Sequence, residues 1–230
     1  MDYEGRIIGI FLSSFTFLIP VVLILYRNGY LTFSINKKYI KHILTYGLPL
    51  IPHALGASIL VYSDKLIISN TISLASNGIY SVGFQVALII GLIQNSFNQA
   101  WVPWFYKKLT LNSLSEKKKI VRYTYLYFFS LIIATIIIIL LNPIIFMIID
   151  NEFKDAKDLV VWISIGFLFN GMYKMMVNYL FFMEKTILIG SITIVTAILN
   201  IFLNFYLINF FGITGAAIAT TITFFIQFIL

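Results

Sequence analysis

Seven apolar runs follow one another along this chain, each near the 20 or so residues that carry a helix across a bilayer. They lie at Ile7–Tyr26, His42–Asn70, Gly78–Phe105, Tyr123–Leu141, Leu159–Phe182, Ile187–Ile208 and from Ile213 to Leu230. The fourth is read as able to continue past Pro143 to Ile149. With 60% hydrophobic and only 11% charged residues, the chain lacks the polar surface of a water-soluble domain, where about a quarter of residues are charged. A membrane β-barrel would need roughly ten-residue alternating segments, and the runs do not alternate. The expected fold is therefore all-α: a polytopic helical bundle of about seven transmembrane helices.

Charge placement orients the bundle. The formal charge of +7 is concentrated between the runs, at Arg27–Lys41 and at Lys107–Arg122, with Lys185 in the turn after the fifth run. Asp150–Asp158 is acidic, and Thr71–Asn77 carries no charge. Lysine-rich connections stay on the cytoplasmic side. One topology satisfies every connection: start outside, cross seven times, end inside. The same clustering explains the basic balance without nucleic acid, which is not an expected partner. The chain has no cysteine, so disulfide and Cys-based metal chemistry are excluded. The first run is too long, and too poor in preceding basic charge, for a cleavable signal. No Walker spacing, paired-carboxylate cleft or metal-ligand cluster is present. The chain is read as a non-enzyme with no cofactor and no metal.

The second run is unlike a plain anchor. It carries Pro49, Pro52, Gly47, Gly56, His53 and the pair Asp64–Lys65. Proline removes a donor and frees a carbonyl four residues earlier, here at Thr45 and Leu48. Broken backbone survives at membrane depth only beside protein or a watery cavity. A kinked, cavity-lining helix is expected, with Pro20, Pro49, Pro52 and Pro103 as flexing points. His53 and Asp64 are three helical turns apart and share a face. Asp64 is read either as a coupling-ion site or charge partner for Lys174, or as a solvated interfacial residue. His53 is read as a titrating group or as the partner of a freed carbonyl.

Other polar residues form stripes. On the fifth run Asn170, Lys174 and Asn178 lie four apart, hence on one face. Lys174 is deep in the run, where a lysine costs about 2.5–3.5 kcal/mol on insertion scales. It is expected to face a cavity or a partner. On the third run Ser81, Gln85, Asn95 and Gln99 fall on roughly one side, with Gln94 and Asn98 on the flank. On the sixth, Thr196, Asn200 and Asn204 form a row that suits either a polar wall or interhelical hydrogen bonds. Trp101, Trp104, Phe105 and Tyr106, just before Lys107, read as an interfacial aromatic belt. The small residues Gly212, Gly215, Ala216, Ala217 and Ala219 read as close helix packing.

The segments GLPLIPH (Gly47–His53), YSDKLIIS (Tyr62–Ser69) and NGIYSVGFQVA (Asn77–Ala87) resemble the bacterial polysaccharide flippases. So do AWVPWFYKKL (Ala100–Leu109) and NIFLNFYLINFFGITGAAIATTIT (Asn200–Thr223). These are the O-antigen and capsule repeat-unit transporters of the multidrug/oligosaccharidyl-lipid/polysaccharide exporter superfamily. The resemblance implies two six-helix lobes around a central cavity. It places residues 1–41 as the last helix of the first lobe plus a cytoplasmic linker, and residues 42–230 as the second lobe. The missing first lobe is then a partner, together with membrane lipids.

The implied activity is movement of polyprenyl-diphosphate-linked oligosaccharide across the bacterial inner membrane for polysaccharide biosynthesis. The implied pathway residues are Lys174, Asn170, Asn178, Gln85, Asn95, Gln99 and Asn200, with Lys174 as counter-charge to the diphosphate. Two alternatives stand beside it. One is a drug or cation exporter of the same superfamily, which would favour cavity carboxylates. The other is a truncated, non-transporting membrane protein of a sugar-assembly complex.

Overall fold

A computed structural model describes residues 3–31 and 35–230, with side chains from residue 5 onward. Met1 and Asp2 of the polar start, and residues 32–34 of the first connection, lie outside the described residues. The chain divides into two compact units, residues 1–44 and 45–230.

The first unit holds α1 (Tyr3–Arg27) and the beginning of α2 (Lys37–Gly47). α1 is apolar on all sides, and its described side chains are exposed apart from Leu25, which is half-buried. A helix apolar all round suits hydrocarbon or a partner, not water. The connection read as polar coil is partly helical, because α2 already starts at Lys37.

The second unit is built from α3 (Leu50–Thr71), α4 (Leu74–Thr110), α5 (Leu114–Ile148), α6 (Ala156–Phe182), α7 (Thr186–Phe211) and α8 (Ile213–Ile229). Among the described residues there is no strand. Six helical stretches are long and apolar enough to cross a membrane, with α2 and α3 counted as one. α8, at 17 residues, is apolar but shorter. The protein is thus an all-α, multi-pass membrane bundle, with six such stretches and one shorter helix where seven spans were expected.

Local chemistry sets the ends. The α2–α3 break falls at Leu48–Pro49, where Ile51 N donates to Leu48 O at 3.1 Å. Pro49 cannot continue the ladder. By contrast α1, α4 and α5 run unbroken through Pro20, Pro103 and Pro143. Ser73 caps α4, its Oγ accepting from Ser76 N at 3.0 Å. Gly212, at φ 57°, makes the α7–α8 turn, a left-handed position that glycine takes at little cost.

The Lys107–Arg122 segment was read as a loop, and the structure corrects this. α4 runs to Thr110 and α5 restarts at Leu114, so residues 111–113 alone form the turn. Asn112 takes φ 46° there. The lysines lie on helix ends. Glu116 holds two of them, at 3.0 Å from Lys108 Nζ and 2.8 Å from Lys119 Nζ. The Asp150–Asp158 connection contains a single turn of 3₁₀-helix, Asn151–Phe153, capped by Asp150.

α6 is the most enclosed of the long helices. It packs on α4, α5 and α8, while α7 packs on α3 and α8. Phe84, Ile90, Leu131, Leu159, Ile163 and Phe167 fill the centre. Thr221 on α8 donates to Trp162 O on α6 at 2.7 Å, and Asn142 on α5 donates to Lys157 O at 2.8 Å. Close approach of α3 and α7 rests on two glycines. A Cβ on Gly190 would lie 2.5 Å from Pro49 O, and one on Gly56 would lie 3.0 Å from Thr193 O.

Candidate functional site

The polar side chains sort into two groups. The first is an open row on α4 and α6. Gln85, Asn95 and Gln99 are exposed on α4, spanning 14 residues, or about 21 Å of helix. α6 meets this row twice. Lys174 Nζ donates to Asn95 Oδ1 at 2.9 Å, and Asn178 Nδ2 donates to Asn98 Oδ1 at 2.8 Å. The four-residue spacing on α6 therefore matches a three-residue step on α4, because the two helices run side by side. Asn170 is half-buried one turn before Lys174, and Asn178 is buried one turn after it. Among the described residues no acidic side chain pairs with Lys174; its partner is a neutral amide. Lys174 is itself half-buried between the two helices.

Asn98 was read as flanking this row, and the structure makes it a member. Gln94, the other flanking amide, turns inward instead: its Nε2 donates to Phe167 O within the core, and it is fully buried.

The second group is enclosed. Asp64 on α3 is 1% exposed, so the reading of a solvated interfacial carboxylate is corrected. Tyr80 Oη on α4 donates to its Oδ2 at 2.6 Å, and Thr220 Oγ1 on α8 donates to the same oxygen. Asn204 Nδ2 on α7 donates to Oδ1 at 2.7 Å. Asp64 does not pair with Lys174; each has its own partners. Asn200, expected on the substrate pathway, belongs here: it is fully buried, and Ser63 Oγ donates to its Oδ1 at 2.7 Å. The rigid α3–α7 seam turns Asn200 inward, away from the open row. Tyr80, Thr220 and Ser63 had not been singled out by sequence reasoning. Their distance along the chain from one another left only the residue types as a signal.

His53 lies towards α7 as well. Its Nδ1 is 2.7 Å from Thr193 Oγ1, and its ring meets Phe181 edge-on at 6.1 Å between centroids. It bonds a hydroxyl, not one of the carbonyls freed by proline. Among the described residues no group of three or more His, Asp or Glu is placed to hold a metal ion.

The second unit thus carries a polar row on α4 and α6 that includes Lys174, and a buried carboxylate on α3. Residues 1–108 match the model of the polysaccharide biosynthesis protein family. A protein of the Lsg locus of Haemophilus influenzae is 28% identical over 211 residues, covering 86% of this chain and 50% of the relative. A second H. influenzae protein, described as an uncharacterized membrane protein, is 25% identical over 188 residues, covering 80% of this chain and 46% of the relative. The chain spans about half the length of these curated relatives. No solved structure matches it. The family resemblance read from the sequence is thereby matched: this is a membrane protein similar to polysaccharide biosynthesis proteins.

Proposed function

We propose that this chain forms one wall of a flippase that moves polyprenyl-diphosphate-linked oligosaccharide across the bacterial inner membrane, supplying O-antigen or capsule synthesis. The observation that carries this is the α4–α6 row, in which Lys174, among the described residues, is bonded to the neutral Asn95 and to no carboxylate. Amides at Gln85, Asn95, Asn98 and Gln99 replace water around sugar hydroxyls as both donors and acceptors. Lys174 supplies a cation for the diphosphate, where low dielectric strengthens the attraction. The lipid tail stays in hydrocarbon throughout. Rocking of this bundle against a second lobe, supplied by chain of the kind that makes up the other half of the relatives, would give alternating access. The sign of the row's charge favours an anionic cargo over a drug cation.

The test is surface polysaccharide in the native host, normalised to the protein present in the membrane. Lys174→Arg keeps partial output, because charge is retained. Lys174→Gln loses most of it while the protein still inserts. Wild-type output from Lys174→Gln would remove the lysine from the pathway. Wild-type output from a strain deleted for the whole gene would support the non-transporting alternative.

A further inference from the structure

Asp64 has no task in holding a headgroup, yet four helices converge on it. Both carboxylate oxygens are met by donors from other helices: Tyr80 and Thr220 on Oδ2, and Asn204 at 2.7 Å on Oδ1. Ser63 Oγ lies 3.5 Å from Oδ1. Among the described residues none of its partners is a cation. Tyr80 is the titratable group facing it from α4. On α3 itself, Lys65 is adjacent in sequence but sends its ammonium over the Phe84 ring, 4.6 Å from the centroid. α7 presents Asn200 and Asn204, and α8 presents Thr220 and Thr223; none of these titrates. An ionised Asp64 is thus surrounded by dipoles alone, and a buried charge without a partner is costly.

The ligand that relieves it must be positive, and the spacing selects among positive ligands. A metal ion held by oxygens sits about 2.0–2.6 Å from each of them and keeps them apart. Here Tyr80 Oη approaches Oδ2 to 2.6 Å and Asn204 Nδ2 approaches Oδ1 to 2.7 Å, direct hydrogen bonds with no room for an ion between. A second observation points the same way. Both groups that meet Oδ2, Tyr80 Oη and Thr220 Oγ1, are hydroxyls, and a hydroxyl can accept as well as donate. The amide on Oδ1 is held as a donor, because Asn204 Nδ2 also donates to Asn200 O at 2.9 Å and to Asn200 Oδ1 at 3.1 Å.

We propose that Asp64 is a proton-binding site, its carboxyl group taking up and releasing one proton inside the junction of α3, α4, α7 and α8. On uptake an O–H bond forms at Oδ2, and one of the two hydroxyls that met this oxygen turns its own hydrogen away and accepts the new donor. Asn204 Nδ2 continues to donate to Oδ1. On release the proton leaves and the hydroxyl again donates to Oδ2. Two orientations of one hydroxyl therefore accompany two charge states. The site needs no substrate, so it stands or falls independently of the role of Lys174.

The experiment is infrared difference spectroscopy on the full chain in lipid nanodiscs, comparing acid with alkaline buffer. A carbonyl stretch of a protonated carboxyl group, gained on acidification and absent in Asp64→Asn, is the expected result. Tyr80→Phe and Thr220→Val keep the carboxyl, so they test the site even where Asp64→Asn does not fold. Each should retain the band and displace its pH midpoint, by about one unit for loss of one hydrogen bond to a charged group. A pH difference spectrum without such a band would overturn the proposal, as would Tyr80→Phe and Thr220→Val midpoints equal to wild type. A band abolished at fixed pH by exchanging choline for sodium would make this a metal-cation site instead.

Discussion

Gly190→Ala is the sharpest test of the packing that positions both polar groups. The added methyl would sit 2.5 Å from the Pro49 carbonyl oxygen. Ordinary contact begins at 3.4 Å, so the helices must part locally by roughly 0.9 Å. The opposing atom is backbone at the α2–α3 break and cannot swing aside as a side chain would. Overpacking of this kind costs about 1–3 kcal/mol, and a rigid neighbour puts Gly190→Ala at the upper end. Gly56→Ala faces Thr193 O at 3.0 Å and needs a smaller shift, so about 1 kcal/mol is expected. Gly78→Ala is the control: nothing lies within 4 Å of its Cβ, and replacing a helical glycine there should stabilise by about 0.5–1 kcal/mol. Equilibrium unfolding in mixed micelles, followed by tryptophan fluorescence, ranks the three. Equal stability of Gly190→Ala and Gly78→Ala would refute the close approach of α3 and α7.

Three further outcomes are expected. Cysteine at Asn151 should react with an impermeant thiol reagent on intact cells, whereas cysteine at Asn112 should react only after permeabilisation; the opposite pattern inverts the topology. Gly215→Ala drives a Cβ against Leu207 O across the α7–α8 turn and should destabilise by about 2–3 kcal/mol, read in the same micelle assay. Asn95→Leu removes the partner of Lys174 and should lower surface polysaccharide while membrane levels hold, whereas Leu92→Ala, an exposed apolar neighbour on α4, should leave output near wild type.

Helix positions were legible because apolar runs at membrane length admit few other structures. α6 begins three residues before the expected Leu159, and α7 extends three past the expected Ile208. The basic segment was misread because its lysines look like loop chemistry; Lys and Glu are also good helix formers, and Glu116 bridges the two helix ends. Lys174 stood out through its depth and its stripe, since spacing along one helix reveals a shared face. Asn95 was legible as a member of its own stripe, but its bond to Lys174 was not, because contacts between helices depend on rotation about each axis. Asp64 was harder still: three of its donors come from helices later in the chain, and no local pattern announces that they converge. Asn200 shows the same limit, since a polar stripe looks identical in sequence whether it faces a cavity or a neighbouring helix.

The continuity of α4 and α5 has a mechanical consequence. At 1.5 Å per residue they measure about 55 and 52 Å, against a hydrocarbon core of about 30 Å. Their joined ends must therefore project beyond the apolar layer as a stiff helical hairpin, closed by three residues and clipped by Glu116 between Lys108 and Lys119. Charge that would move freely in a tether is fixed instead on a rod. Exposed, extended tips are where proteases cut, and this hairpin offers almost none. Trypsin applied to this end of the bundle should leave Lys117, Lys118 and Lys119 largely uncut, so that the most basic part of the chain is also a protected one.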